Sequence, residues 1–222
     1  FLHNQTNLSK SFEINKIWKS VGSIDFCKEK IKYEVCECIT EEDIKNYKDL
    51  SFFHYRTEED GTAKKGGRSA ILLIYLKIAS KKICVGYIQL QMPVMMCKPR
   101  HQVFKNPFKN DEINWETWDS EARKKYVNRI VRIGRVVTHP EWRGMNIAKI
   151  LIEKSKIFSL KKWHCKGEAP IFIEISAQML KHIDFVSSSG FHFLGMTEGN
   201  LSRVARDLKY MNRGYLAKTG VM

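Results

Sequence analysis

Apolar residues fall in short blocks along the chain, separated by polar turns. The longest block is AILLIYLKIA at 70–79, with Lys77 inside it. Its length suits a strand, and it is far short of the roughly 18–20 residues that a membrane-crossing helix needs. A second block, ICVGYIQL at 83–90, follows after Ala-Ser-Lys-Lys, so the two predict an antiparallel hairpin. RIVRIGRVVT at 129–138 predicts a third strand, closed by His139-Pro140 because the residue before a proline stays extended and the proline itself has no N–H to continue the ladder. IFIEI at 171–175, bounded by Pro170, predicts a fourth, and FHFLGM at 191–196 opens another. KIKYEVCEC at 30–38 also reads as a strand.

Helical spacing appears between these blocks. Ile147, Ile150, Leu151, Lys154, Ile157 and Phe158 predict a helix over 144–163. Thr40-Glu41-Glu42-Asp43 has the form of an N-cap with an acidic residue three positions on, opening a helix through Leu50. Shorter helices are expected at 178–187 and around 203–210. Phe12, Ile14, Ile17 and Trp18 offer a packed face ahead of the first strand. Residues 57–69 contain three glycines and no core former, so a mobile loop is expected there. Residues 92–125 carry Pro93, Pro99 and Pro107 and read as irregular, helical only late on. The order is α/β (α+β): antiparallel hairpins first, then strand–helix–strand.

With 222 residues, 43% of them hydrophobic, the chain suits one sizeable domain over 1–222. Within it, 1–50 reads as an N-terminal elaboration, 70–200 as the core and 201–222 as a tail. The opening FLHNQTNLSK lacks the basic start and apolar block of a secretory leader. The six cysteines show no C-x-x-C spacing, so they are expected to be reduced thiols in a cytoplasmic protein. Cys36-x-Cys38 shares a strand face but has no second close pair, so no metal site is expected.

Lys+Arg 38 against Asp+Glu 24 gives a net charge of +14, which favours polyanions such as nucleic acid. Arg100, Lys105, Lys109, Arg123, Arg129, Arg132 and Arg135 concentrate the charge in the middle of the chain. Phe104, Phe108, Trp115, Trp118 and Tyr126 are interleaved with them. Cations beside aromatic rings suit phosphate contact and base stacking, and a nucleic acid is the favoured partner on this pattern.

The segment that carries chemistry is RIVRIGRVVTHPEWRGMNIAKILIEKSK, 129–156. A strand runs into a proline, a short turn follows, and a helix begins at once. Gly144 lets the turn come close with no side chain in the way. The first N–H groups of the helix then face whatever sits in the turn, which suits a pyrophosphate. Arg143 and Lys149 add positive charge. Neither a P-loop nor a dinucleotide fingerprint is present. Glu174 alternates with Ile173 and Ile175 and so points away from the core, where it is a candidate base. Arg135 is a candidate to face the same slot.

This segment resembles the GCN5-related N-acetyltransferase superfamily. The residues are Val136-Val137-Thr138-His139-Pro140, then Arg143-Gly144-Met145-Asn146-Ile147-Ala148. The resemblance matches Gly144 to the glycine of the family's [Q/R]-x-x-G-x-[G/A] motif. Glu141 and Asn146 depart from its first and last positions. It is similar beyond the motif too: 84–88 matches the central hairpin strand, 171–175 the strand that splays from 130–138, and 189–196 the last strand's entry. It implies a mixed, mainly antiparallel central sheet flanked by helices, with a splayed strand pair holding acetyl-CoA or a related acyl-CoA. Residues 136–138 and 143–148 would then be the cofactor contacts. The family's usual proton donor is a tyrosine, and Val186 stands in its place.

His54-Tyr55, together with the Arg-Val-Val-x-His-Pro run, is similar to phage Mu Mom-like proteins, which modify DNA bases on this fold. There the pair belongs to the active-site region. The same features also occur in transferase domains associated with ABC-type ATPases. The resemblance therefore implies an acyltransferase, with a nucleic-acid base as the first acceptor. A protein, tRNA or small-molecule amine is the alternative, and a non-catalytic binding module is a third.

Overall fold

The computed structural model describes residues 17–54, 67–111 and 113–196. Their elements in chain order begin with β1 (Lys19–Phe26), β2 (Glu29–Glu37), α1 (Glu41–Ser51), β3 (Ser69–Ile78) and β4 (Lys81–Gln91). Next come α2 (Lys98–Phe104), β5 (Phe108–Lys109), β6 (Asn114–Trp115) and α3 (Ser120–Tyr126). β7 (Ile130–Thr138), α4 (Ile147–Lys162) and β8 (Phe172–Ile175) complete the set.

The apolar blocks become the middle of a six-stranded sheet with the order β1-β2-β3-β4-β7-β8. Every pairing is antiparallel except β7 with β8, which is parallel. The β3–β4 connection is two residues, Ala79 and Ser80, both at positive φ (45° and 69°). That backbone twist matches the twist of the flanking strands, which is why so short a hairpin closes. Cys27 and Lys28 turn the β1–β2 hairpin in the same way, with φ of 49° and 69°.

Alternation splits the sheet into two faces. One carries Leu72, Ile74, Leu76, Ile88, Leu90, Val131 and Ile133, packed with Ile147, Leu151, Ile152 and Phe158 of α4. Trp18 meets Phe158 edge-on, with ring centroids 5.5 Å apart, so the segment before β1 is tied to the same core. The other face carries Cys36, Leu73, Tyr75, Tyr87 and Val137 with Leu50 of α1. Tyr47 of α1 packs edge-on against Tyr87 at 4.9 Å.

α1 starts where the sequence predicts. Thr40 and Asp43 form a reciprocal capping box: the Thr40 hydroxyl accepts from the Asp43 N–H at 3.1 Å, and Asp43 Oδ2 accepts from the Thr40 N–H at 3.0 Å. Asp43 also holds the Tyr75 hydroxyl, which donates to Oδ1 at 2.5 Å and so ties the helix to β3.

Several expectations are corrected. β1 was not anticipated: KSVGSIDF is polar and only half-buried along one side, as an edge strand allows. The helix expected over 144–163 begins at Ile147, because Pro140–Trp142 forms a 3-10 turn and the chain then passes through left-handed Asn146. The helix expected at 178–187 is two separate 3-10 turns, Gln178–Lys181 and Ser187–Ser189, with Asp184 accepting the N–H groups of Val186 and Ser187 between them. No strand forms at 191–196, where Phe193 is 81% exposed. Ile17 is exposed while Trp18 is buried. Phe12, Ile14, the helix expected near 203–210 and nearly all of the 57–69 loop lie outside the described residues.

The chain falls into two units. The first comprises residues 1–93 and 124–192, and the second 94–123 and 193–222. The first holds the sheet, α1 and α4. In the second, Arg100 is buried and donates to the carbonyls of Val94 (2.6 Å) and Met95 (2.9 Å). Trp115 Nε1 donates to the carbonyls of Phe104 and Asn106 at 3.0 and 3.1 Å, and the Trp115 ring packs on Phe104, Phe108 and Trp118. No helix among the described residues is long and apolar enough to cross a membrane.

Candidate active site

The site is built where β7 outruns β8. The parallel pairing covers Ile130↔Phe172 through Ile133↔Ile175 and then stops, while β7 continues to Thr138. Along Gly134–Thr138 the backbone edge facing away from β4 has no partner strand among the described residues. Unpaired N–H and C=O groups on such an edge form a template for an extended, amide-bearing ligand.

β7 also carries a bulge at the start of this open edge. Its register against β4 passes from Leu90↔Ile133 to Gln89↔Arg135 and leaves Gly134 without an opposite residue. Bulges re-aim the following side chains and backbone groups. The bulge is why Ile133 and Val136 both pack on the α4 side of the sheet although three positions apart.

The turn after β7 leads directly into α4. The His139 N–H donates to the Val85 carbonyl at 2.9 Å, which fixes the strand end, and His139 Nδ1 accepts from the Glu141 N–H at 3.4 Å. Gly144 has φ of 88°, and a Cβ placed on it would meet nothing within 4 Å. Asn146 caps α4 from the left-handed region (φ 59°, ψ 18°) without a side-chain bond to the helix. The first intrahelical bond runs from the Ile150 N–H to the Asn146 carbonyl at 3.0 Å. The N–H groups of Ile147, Ala148 and Lys149 therefore stand at the helix mouth. Arg143 and Lys149 are exposed beside them, as is Glu141, while Met145 and Ile147 are buried and anchor the turn.

The cofactor residues expected from the sequence thus occupy one continuous feature. Val136, Val137 and Thr138 lie on the open edge, and Arg143, Gly144, Met145, Asn146, Ile147 and Ala148 form the turn and helix start. Glu174 stands directly across from Arg132 on β8, on the face opposite Ile173 and Ile175. Arg135 is buried opposite Gln89 on that same face. His54 is half-buried at the end of α1, its N–H bonded to the Ser51 carbonyl at 3.1 Å. Its neighbour Phe53 packs edge-on against the His139 ring at 4.8 Å, so the His54 segment sits at the end of the sheet where the turn is. Tyr55 lies outside the described residues. Val186 is buried in the core beside α4 and has no proton to give.

The basic, aromatic cluster of the middle chain is divided: Lys105, Lys109 and Phe108 are exposed, Arg123, Arg132 and Phe104 are half-buried, and the others are buried. Arg129 is buried, its Nε donating to the Ala169 carbonyl at 3.0 Å and its guanidinium 3.4 Å from Glu168. Arg100 and Arg135 are buried as well, and so are Trp115, Trp118 and Tyr126. Spacing alone could not distinguish these from surface groups.

Sequence reasoning missed Gln89 and Gln91 and counted Arg132 only as surface charge. The signal was present in Gln89-Leu90-Gln91, where two polar residues flank Leu90 in an otherwise apolar strand. All six cysteines are free thiols. Burial pushes Cys36 and Cys38 up to about 11 and Cys84 up to about 12, with the Asp43 charge adding to each. Among the described residues no group of His, Cys, Asp or Glu could hold a metal ion.

A mainly antiparallel sheet ending in a parallel pair of unequal length, with a helix springing from the turn after the longer strand, is a GCN5-related N-acetyltransferase-like architecture. No family model matches the chain, and no curated protein matches it. It is similar to the solved structure of AAC(6')-Iy in complex with the bisubstrate analogue CoA-S-monomethyl-acetylneamine. That likeness is 9% identical with a TM-score of 0.41, over 82% of this chain and 96% of that one. It is also similar to an acetyltransferase of Trypanosoma brucei, 14% identical with a TM-score of 0.43, over 75% of this chain and 97% of that one. A third is the aminoglycoside 6'-N-acetyltransferase AAC(6')-IG of Acinetobacter haemolyticus, 11% identical with a TM-score of 0.41, over 74% and 94%.

Proposed function

We propose that this protein is an acyl-CoA-dependent transferase that acylates an amine. The observation that carries this reading is the continuity of the open β7 edge with the turn and helix mouth at Gly144–Ala148. The residues present fit a CoA-type cofactor. Gly144 leaves free space where a side chain would intrude, the helix mouth presents N–H groups without a side-chain cap, and Arg143 and Lys149 add positive charge.

Acetyl-CoA, or a related acyl-CoA, supplies a thioester to such a site. The edge at Val136, Val137 and Thr138 would bind the amide-bearing arm by strand-like hydrogen bonds. The amides from Gly144 to Ala148 would hold the pyrophosphate. The bulge at Gly134 would offer backbone groups to negative charge on the reacting carbonyl. Glu174, on the sheet face beside this edge, takes the proton that the attacking amine sheds. His54 lines the acceptor approach. Val186, buried and apolar, could give no proton to a leaving thiol, so that proton would have to come from water.

A nucleic-acid base, in a Mom-like DNA modification, is the finer reading, and it is supported chiefly by the net charge of +14. It loses the support of Arg100, Arg129, Arg135 and the buried tryptophans, which serve the fold. A small amine acceptor is therefore preferred.

The test is acyl transfer itself. Thiol release from acetyl-CoA is followed with a panel of primary amines, alongside mass spectrometry of nucleosides from DNA co-expressed with the protein. Amine-dependent release with unchanged nucleosides is expected. Release no faster than the hydrolysis blank for every amine would contradict the proposal.

A further inference from the structure

A row of polar side chains crosses the sheet face opposite α4. The register fixes its members. Leu90 and Ile133 pack with α4, so their neighbours Gln91 and Arg132, an opposed pair, point to the other face. Ile88 and Val136 do the same, which places Gln89 and Arg135 on that face too. Ile173 and Ile175 face α4, so Glu174, in register with Arg132, completes the row. Across β8, β7 and β4 the row reads Glu174–Arg132–Gln91, then Arg135–Gln89 one step beyond the bulge.

Charged groups on interior strands cost free energy unless something compensates for their desolvation. Arg132 shows this cost directly. Its Nε is buried and meets no hydrogen-bond partner, and no carboxylate lies within ion-pair distance of it among the described residues. Glu174 is its register neighbour and still does not pair with it. Gly134 leaves room for the Gln91 carboxamide to lie over the bulge: a Cβ there would meet it at 2.8 Å. The result is a guanidinium with an unused donor and, from the strand opposite, a carboxamide that lies over the bulge at the start of the open edge. A guanidinium fork with adjacent donors matches a carboxylate in shape and charge.

We infer that the row selects an amine acceptor that also carries a carboxylate, with Arg132 and Gln91 as its anchor. This rests on the acyl-transfer reading of the neighbouring edge. Arg132 lies two residues before the bulge, about 7 Å along the strand. The acceptor is accordingly a small molecule whose amine and carboxylate are a few bonds apart, such as an amino acid or short acidic peptide. Glu174 at the end of the row suits the amine, and Arg132 the carboxylate.

The experiment uses the full chain and amines supplied in matched pairs, each as the carboxylate and as its carboxamide, with acetyl-CoA binding measured separately. The carboxylate member of each pair is expected to react at least tenfold more efficiently in kcat/KM. Arg132→Gln is expected to bring that ratio close to one by raising KM for the carboxylate member, while acetyl-CoA binding stays unchanged. Gln91→Ala should lower the ratio in the same direction, and Arg132→Lys should keep part of it, which separates recognition from loss of folding. Equal reaction of both members, or a preference that survives Arg132→Gln, overturns the inference and leaves acyl transfer standing. Acetyl-CoA binding with no member of the panel acylated, or with DNA acylated instead, also overturns it. Absence of acetyl-CoA binding removes the transferase reading together with it.

Discussion

Gly144 is the residue on which the proposed cofactor site turns most sharply. Its φ of 88° is a conformation that side chains with a Cβ resist, and the space beside it is open toward the helix mouth. Gly144→Asp adds both backbone strain and a carboxylate where negative phosphates are proposed to sit. Acetyl-CoA affinity should fall at least tenfold, about 1.4 kcal/mol or more, by calorimetric titration. Arg143→Ala, which removes one exposed charge, should cost only a few-fold. The cysteines make a second residue-scale prediction. Cys27 is exposed, whereas Cys36, Cys38 and Cys84 are held well above the usual thiol range by burial. Iodoacetamide at pH 8 should label Cys27 first and leave those three largely unmodified until the protein unfolds, as read by peptide mass spectrometry.

At the scale of the element, α1 depends on a carboxylate with three jobs. Asp43 completes the capping box, binds the Tyr75 hydroxyl and accepts from the Ile39 N–H. Burial works to raise its pKa, but the bonds from Tyr75, Thr40 and Ile39 outweigh it and hold the group below the usual carboxylate range. A carboxylate depressed in the folded state stabilises the fold above its unfolded pKa of about 3.9. That stability is lost as the pH falls through the lower, folded value. Asp43→Asn should cost about 1–2 kcal/mol at neutral pH, with the loss shrinking below about pH 4, by denaturant titration across pH. Leu151, fully buried between α4 and the sheet, should cost about 2–5 kcal/mol as Leu151→Ala.

Elements with strong local signals were legible in the sequence. The Thr40 cap, the 70–79 and 83–90 hairpin and the 129–138 strand all lie within a residue or two of their observed bounds. The misses have physical causes. β1 is an edge strand whose polar sequence carries little periodic burial. FHFLGM has strand composition but leaves Phe193 in solvent. The bulge at Gly134 is invisible in Arg-Ile-Gly-Arg, which reads as uninterrupted alternation, so the side chains sharing a face with Arg135 could not be assigned before the register was known.

At the scale of the whole molecule, the net charge of +14 separates into groups with different work. Arg100 and Arg129 bond to carbonyls of their own chain. Lys19, Lys77 and Lys82 surround Glu34, whose pKa stays low despite its burial because their charges gather on it. Arg143 and Lys149 flank the helix mouth. Composition supplied the sum of these charges, and only the register and burial show which are available to a ligand. The candidate cofactor turn was readable because it is local in sequence. The polar row was not, because its members come from three strands and share a face only through a bulge. The measurement that bears most directly on the central proposal is calorimetric titration of the full chain with acetyl-CoA, repeated on Gly144→Asp. Saturable binding at one site per chain, weakened at least tenfold by the substitution, is the result predicted; no binding at millimolar acetyl-CoA, or equal binding by both proteins, would contradict it.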